Sequence, residues 1–214
     1  CYLTCDVGLP RDIWQKMISG VIDTSFNAIS VDGDTSTNDS VLAFSAGQPL
    51  NSIYWDELAE GLHLVSNHLA KSIVRDGEGA NCLMEVVVKG ALNNLDASLI
   101  ARTITTSSLV KTALHGCDPN WGRIIAAAAR SGIDFDEQQV SLWIGDHKLM
   151  EDGKPLNFDG IIVSNYMKDR TKGGCNADDS ISINLVIGTG LGYGAAWGCD
   201  LSDRYIRINA DYRT

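Results

Sequence analysis

Residues 82–91 read CLMEVVVKGA. The run is short and rich in β-branched side chains (Val86, Val87, Val88), and it follows a turn with two glycines. Length and β-branched content make it a buried strand rather than a helix. The turn formers of RDGEGAN (75–81) precede it. Upstream, Trp55, Leu58, Leu62, Val65, Leu69 and Ile73 recur at helical spacing and predict one long helix over residues 55–74. Downstream, a helical segment is expected from about Leu95 to Leu114, broken by HGCDPNWG (115–122). A strand flanked in sequence by two helices is the unit of a layered α/β protein.

The rest of the chain extends that pattern. Ile13, Trp14, Met17, Ile18, Val21 and Ile22 form the apolar stripe of an early helix, with Pro10 at its first turn. NAISV (27–31) and SVLAFSAG (40–47) read as short strands, the second ending at a glycine. RIIAAAARSG (123–132) is a short helix stopped by Gly132. QVSLWIGDHKLMEDGKPL (139–156) is a hairpin with Asp152-Gly153 in its turn. SISINLVIG (180–188) alternates as a strand, and a glycine-rich connection then leads to a last strand at the C-terminus. The expected class is mixed α/β, in α+β layers, over residues 1–214 with no separable linker, low-complexity segment or internal repeat.

Composition narrows the functions. The chain has 214 residues, 17 Lys and Arg against 27 Asp and Glu, and a net charge of −10. Such a surface repels phosphate backbones, so nucleic acid is not expected as a partner. No apolar run reaches the length of a membrane span, and no basic-then-apolar leader opens the chain. The six cysteines have neither CxxC nor zinc-ligand spacing, so reduced thiols in a cytoplasmic protein are expected. His63, His68, His115 and His147 are scattered and read as structural.

Four stretches carry chemistry. DGDTSTND (32–39) packs carboxylates and hydroxyls between two apolar strands, as a hydrogen-bond network, a metal loop, or a solvated turn; the EF-hand pattern fails for lack of a closing Glu. DGEGAN (76–81) holds Glu78 between two glycines, placed either to pair with a substrate ammonium or to cap a helix and turn. GTGLGYGAAWG (188–198) is not followed by the amphipathic helix and ribose-binding acid of a dinucleotide site; close backbone packing or β-bulges are expected there. In GCDPNWGRI (116–124), Asp118 is the expected helix cap, Pro119 the first helical residue, and Arg123 lies one turn in.

SFNAISVDGDTSTNDSV (25–41), RDGEGA (75–80), SSLVKTALHGCDPNWGRI (107–124), FDGIIVSNY (158–166) and GAAWGCDLS…YIRINADYRT (194–214) occur in the order found in the β chain of the ornithine acetyltransferase family. The chain resembles that family, the bifunctional glutamate N-acetyltransferases of arginine biosynthesis, over almost its whole length. The resemblance implies an N-terminal-nucleophile fold with mixed sheets flanked by helices, made by self-cleavage of a longer precursor. It implies a ping-pong reaction in which the first residue of the β chain takes an acetyl group from N-acetylornithine and passes it to glutamate. It also implies an α chain from the same precursor as partner, assembled as two α and two β chains. Neither a cofactor nor a metal is implied, and the location is cytoplasmic or an organelle stroma or matrix. By matching position, Glu78, Asn209 and Thr214 bind substrate.

The family β chain begins Thr-Met-Leu, whereas this sequence begins CYLTCDVGLP. Two alignments follow. In one, Cys1 is the nucleophile, a thiol in place of a hydroxyl. In the other, TCD (4–6) aligns without a gap and the nucleophile lies three places before Cys1. Asn81 and Cys82 stand where relatives carry Thr-Lys, and Cys117 where an Arg is common. An amide or peptide hydrolase on the same scaffold and an inactive regulatory paralogue are the alternative functions.

Overall fold

The computed structural model describes residues 1–173 and 180–212. The chain divides into two compact units, Cys1–Asn27 with Asp34–Ala70, and Ala28–Gly33 with Lys71–Thr214.

In the first unit, strand β1 (Tyr2–Gly8) is followed by helix α1 (Arg11–Asp23), with Pro10 at the N-cap. Strand β2 (Ile29–Ser30) belongs to the second unit and shortens the expected strand at 27–31 to two residues, because a 3-10 turn occupies Phe26–Ala28. Strand β3 (Leu42–Pro49) pairs in parallel with β1, Tyr2 opposite Leu42 and Thr4 opposite Phe44. Leu3 is buried, while Tyr2, Leu42 and Phe44 are exposed on the opposite face of this two-stranded sheet. Helix α2 (Trp55–Arg75) runs almost as the apolar spacing predicted, with a shifted inner stripe. The buried positions are Ser66, Ala70 and Val74, whereas Val65 and Ile73 are exposed. Small side chains let a helix approach its neighbours closely, so the packed face follows Ser66 and Ala70 rather than the larger residues beside them.

The second unit is built on a seven-stranded sheet of order β2-β9-β4-β8-β5-β6-β7. Its interior strand β4 (Leu83–Ala91) is the one read first from the sequence, and Met84, Val86 and Val88 are fully buried. The single helix expected over residues 95–114 is two, α3 (Asn94–Thr105) and α4 (Ser108–His115). The hydroxyls of Thr103, Thr105 and Thr106 bond to carbonyls of their own helix, and Ser107 accepts from the Val110 N–H to cap α4. Such side chains compete for the backbone and start a new helix instead of continuing the old one. Helix α5 (Trp121–Ala129) is capped by Asn120, not by Asp118. Asp118 instead accepts from the Asn120 side chain.

Strands β5 (Ser141–Ile144), β6 (His147–Glu151) and β7 (Lys154–Pro155) form a meander. Asp152 and Gly153 both have positive φ, as the expected tight turn requires. Helix α6 (Gly160–Thr171) has no counterpart in the sequence reading, since FDGIIVSNY was noted only for its resemblance. Strand β8 (Ser180–Val186) pairs in parallel with β4 and antiparallel with β5. The glycine-rich stretch is itself strand β9 (Gly192–Cys199), and the expected last strand is helix α7 (Asp203–Asp211). Because β9 is already flanked by β2 and β4, and Ser202 caps the next turn through the Tyr205 N–H, the chain turns helical. A Cβ on Gly194 would run into the backbone of Ala97 and Ser98, so the glycines serve close packing of α3 on β9.

Candidate functional site

Strand β9 ends at Cys199, and the next residue, Asp200, is only 3% exposed. One carboxylate oxygen accepts from the backbone N–H groups of Asn81 (2.7 Å) and Cys82 (3.2 Å). The other accepts from the Asn81 side-chain amide (2.8 Å) and lies 2.9 Å from His115 Nδ1. A buried carboxylate is costly unless its lone pairs are filled, and four donors fill these. A carboxylate oxygen accepts, so the assignment that satisfies this pair has His115 donating through Nδ1.

One turn before His115 on α4, Lys111 is 2% exposed. Its Nζ donates to the carbonyls of Val31 and Cys199, both at 2.6 Å, and lies 3.6 Å from Cys199 Sγ. The Leu201 N–H donates back to the Lys111 carbonyl at 3.2 Å. Burial pushes the Cys199 thiol up from its ordinary value; the Lys111 ammonium opposes this, and the charges of Asp200 and Asp32 add to it. Cys199 therefore remains a neutral, inert thiol around pH 7. Anchoring the Val31 carbonyl also fixes the chain at Asp32, whose carboxylate accepts from the Tyr205 hydroxyl at 3.3 Å.

Glu78 sits on the loop between α2 and β4. Its neighbour Gly79 has φ of +69°, and a Cβ there would lie 2.6 Å from the Tyr205 nitrogen and 2.9 Å from Ser202 Oγ. Only a glycine lets this loop rest on the first turn of α7. The Ser202 hydroxyl donates to the Gly79 carbonyl (2.7 Å) while accepting from Tyr205 N–H (3.1 Å). Asn209, farther along α7, donates to the Tyr205 carbonyl at 3.1 Å. Both Glu78 and Asn209 are exposed, on two elements in direct contact. The structure thus brings together segments 28–33, 76–82, 111–115 and 199–212.

Cys1 opens the first unit, exposed, with its backbone nitrogen donating to the Ser40 carbonyl at 2.8 Å. Thr214 lies outside the described residues. Arg123 donates to the Leu109 carbonyl and to Thr112 Oγ1, tying α5 to α4. Among the described residues no group of three His, Cys, Asp or Glu side chains is arranged to hold a metal ion. Cys1, Cys5, Cys82, Cys117 and Cys199 are free thiols. Lys111 and Asp200 were not singled out from the sequence, and His115 was read there as structural. The available signal was a lysine within an otherwise apolar inner face of α4, beside Val110, Ala113 and Leu114.

The family model described as the ArgJ family matches residues 1–214. The chain belongs to the ArgJ family. It is 61% identical over 213 residues to the arginine biosynthesis bifunctional protein ArgJ of Prochlorococcus marinus strain NATL2A, covering all of this chain and 51% of that protein. It is 48% identical over 219 residues to the protein of the same name from Synechococcus sp. strain ATCC 27144, covering 53% of it. The chain spans about half the length of the curated ArgJ relatives it matches. The crystal structure of ArgJ from Bacillus halodurans superposes with a TM-score of 0.90 at 38% identity, covering 99% of this chain and 98% of that one. The mixed α/β architecture is accordingly the ArgJ fold. No helix among the described residues is long and apolar enough to cross a membrane.

Proposed function

We propose that this chain is the β part of an acetyltransferase that moves an acetyl group from N-acetylornithine to glutamate in arginine biosynthesis. The reading rests on one observation above all. In an ArgJ chain, the exposed carboxylate of Glu78 and the exposed amide of Asn209 are presented by two contacting elements braced by a buried polar frame. A carboxylate and an amide suit the charged ends of an amino acid. Thr214, five residues beyond Asn209, completes the proposed binding set.

The nucleophile attacks the acetyl carbonyl of N-acetylornithine. Its bond to the acetyl carbon forms, the amide C–N bond breaks, and ornithine leaves with the proton taken from the nucleophile. The α-amine of glutamate then attacks the acyl-enzyme, returning a proton to the nucleophile as N-acetylglutamate departs. Either the thiol of Cys1 or a hydroxyl three places earlier performs this step. The α chain of the same precursor is the proposed partner, in a two-α, two-β assembly located in the cytoplasm or an organelle stroma or matrix. The exposed apolar face bearing Tyr2, Leu42 and Phe44 supports a partner.

Intact-mass measurement of the full-length protein after mixing with N-acetylornithine tests the reading. One acetyl adduct is expected, removed on adding glutamate. Peptide mapping places it on Cys1, as a hydroxylamine-labile thioester, or on the upstream hydroxyl. Acetate release that does not depend on glutamate would point to a hydrolase instead, and the absence of any adduct at single turnover would refute acyl transfer.

A further inference from the structure

We propose that His115 is a positioning residue for the amino-acid site: its Nδ1–H holds Asp200, and through Asp200 it fixes the loop that carries Glu78. The inference rests on the acetyl-transfer reading for its kinetic arm but not for its structural one.

Three of the four donors to Asp200 come from the loop itself, from Asn81 N–H, Cys82 N–H and the Asn81 side chain. They join the loop to Asp200 but do not tie its carboxylate to α4. His115 is the donor that comes from another element, and it sits on the last residue of α4. That helix also holds the backbone on either side of Asp200. It is locked one turn earlier by Lys111, whose ammonium grips Val31 and Cys199 and whose carbonyl receives the Leu201 N–H. The chain is therefore held to α4 on both sides of Asp200. The connection to Glu78 is short, because Asn81, three residues on, bonds at once to Asp200 Oδ2 (2.8 Å) and to the Gly79 carbonyl (3.4 Å).

Burial separates this role from ordinary core satisfaction. The Asp200 side chain is fully buried, whereas that of His115 is 41% exposed. A half-exposed imidazole contributes little to a hydrophobic core, so its replacement leaves folding largely intact. What it does contribute is a hydrogen bond to a buried carboxylate, which is the stronger kind. Asn is the informative substitute, because its side-chain amide can place an N–H near the position of Nδ1 without the ring.

The experiment uses the full-length protein with His115→Phe and His115→Asn, measuring steady-state kinetics with N-acetylornithine and amide hydrogen exchange. For His115→Phe, KM for N-acetylornithine should rise about 10-fold with kcat changed by less than about 3-fold, as expected for loss of a contact that shapes binding rather than the transition state. The Asn81 and Cys82 amides should exchange about 10-fold faster, while those of β8 do not change. His115→Asn should recover most of both effects. Unchanged KM and exchange in His115→Phe, or a His115→Asn variant as impaired as His115→Phe, would overturn the proposal. A raised KM with unchanged exchange would also overturn it, by showing that the imidazole touches substrate directly. If the parent protein transfers no acetyl group, the functional reading fails, and the exchange of the two amides alone decides the role of His115.

Discussion

Replacing Lys111 with Met keeps the unbranched stem and deletes the ammonium. Two carbonyl oxygens, those of Val31 and Cys199, lose a donor that now lies 2.6 Å from each. A hydrogen bond from a charged donor contributes about 1.5–3 kcal/mol, so losing the two costs about 3–6 kcal/mol at most, with the Val31 carbonyl keeping the Cys199 thiol as a donor at 3.5 Å. Part of this is offset, since the variant no longer removes a charge from water, an effect worth a few kcal/mol. The net expectation for Lys111→Met is a loss of about 2–3 kcal/mol, or roughly 2–4 °C in melting temperature for a full-length protein about twice as long as this chain, as its relatives are. Differential scanning calorimetry of the full-length protein measures it. A second consequence distinguishes this mechanism from general loosening. The ammonium is what opposes the upward push of burial on the Cys199 thiol, so that thiol becomes a still weaker acid in the variant wherever the fold is retained. A melting temperature within about 1 °C of the parent would refute the reasoning, because it would mean that the two hydrogen bonds do not outweigh the cost of burying the ammonium.

Glu78→Gln keeps the shape of the side chain and removes its charge, so KM for N-acetylornithine should rise about 10- to 150-fold, the equivalent of a charge-assisted contact of about 1.5–3 kcal/mol, with kcat nearly unchanged; an unaltered KM in steady-state assays would remove Glu78 from the site. Gly79→Ala forces a Cβ against the Tyr205 nitrogen at a positive φ, and should cost at least about 1–2 kcal/mol while undocking the first turn of α7, seen as faster exchange of the Tyr205 amide. The Cys199 thiol predicts an alkaline limb. Its acidity is weakened in the folded chain, so above the ordinary value of 9.0 the unfolded chain loses the proton first and stability falls as pH rises. Denaturant titrations at pH 8 and pH 10 should show that fall in the parent and a shallower one in Cys199→Ser.

The elements legible in the sequence are those whose own side chains decide them. In β4, Met84, Val86 and Val88 are fully buried in the core, and the short β-branched run says so directly. The misread elements are decided by groups the sequence pattern does not display. YIRINAD alternates like a strand, yet Ile206 and Ile208 are exposed, and a serine cap starts a helix there. In α6 the contiguous Ile161, Ile162 and Val163 hide the helical period, because only Val163 and Met167 are buried. Lys111 and Asp200 are bound largely to backbone atoms far along the chain, and a backbone carbonyl has no letter in a sequence. Glu78 is proposed from local chemistry and resemblance, and Asn209 from resemblance alone.

The buried polar frame depends in turn on a residue with no side chain. A Cβ on Gly198 would lie 3.2 Å from both Cβ and O of Thr105, the last residue of α3, and 3.1 Å from Met84 Cε. Contacts that tight leave no room for a methyl group without movement of the helix or the methionine. The end of α3 therefore rests directly on the backbone of β9, and α4 begins only three residues later. The height at which α3 ends sets where α4 starts, and hence where the Lys111 stem points. With α4 at this height, its ammonium reaches the carbonyl of Cys199, the residue that follows Gly198, and His115 one turn on reaches Asp200. The glycines of β9 and the polar frame are thus one arrangement. Close backbone packing in the sheet layer brings α4 within reach of the strand end, and the strand end holds the loop that presents Glu78.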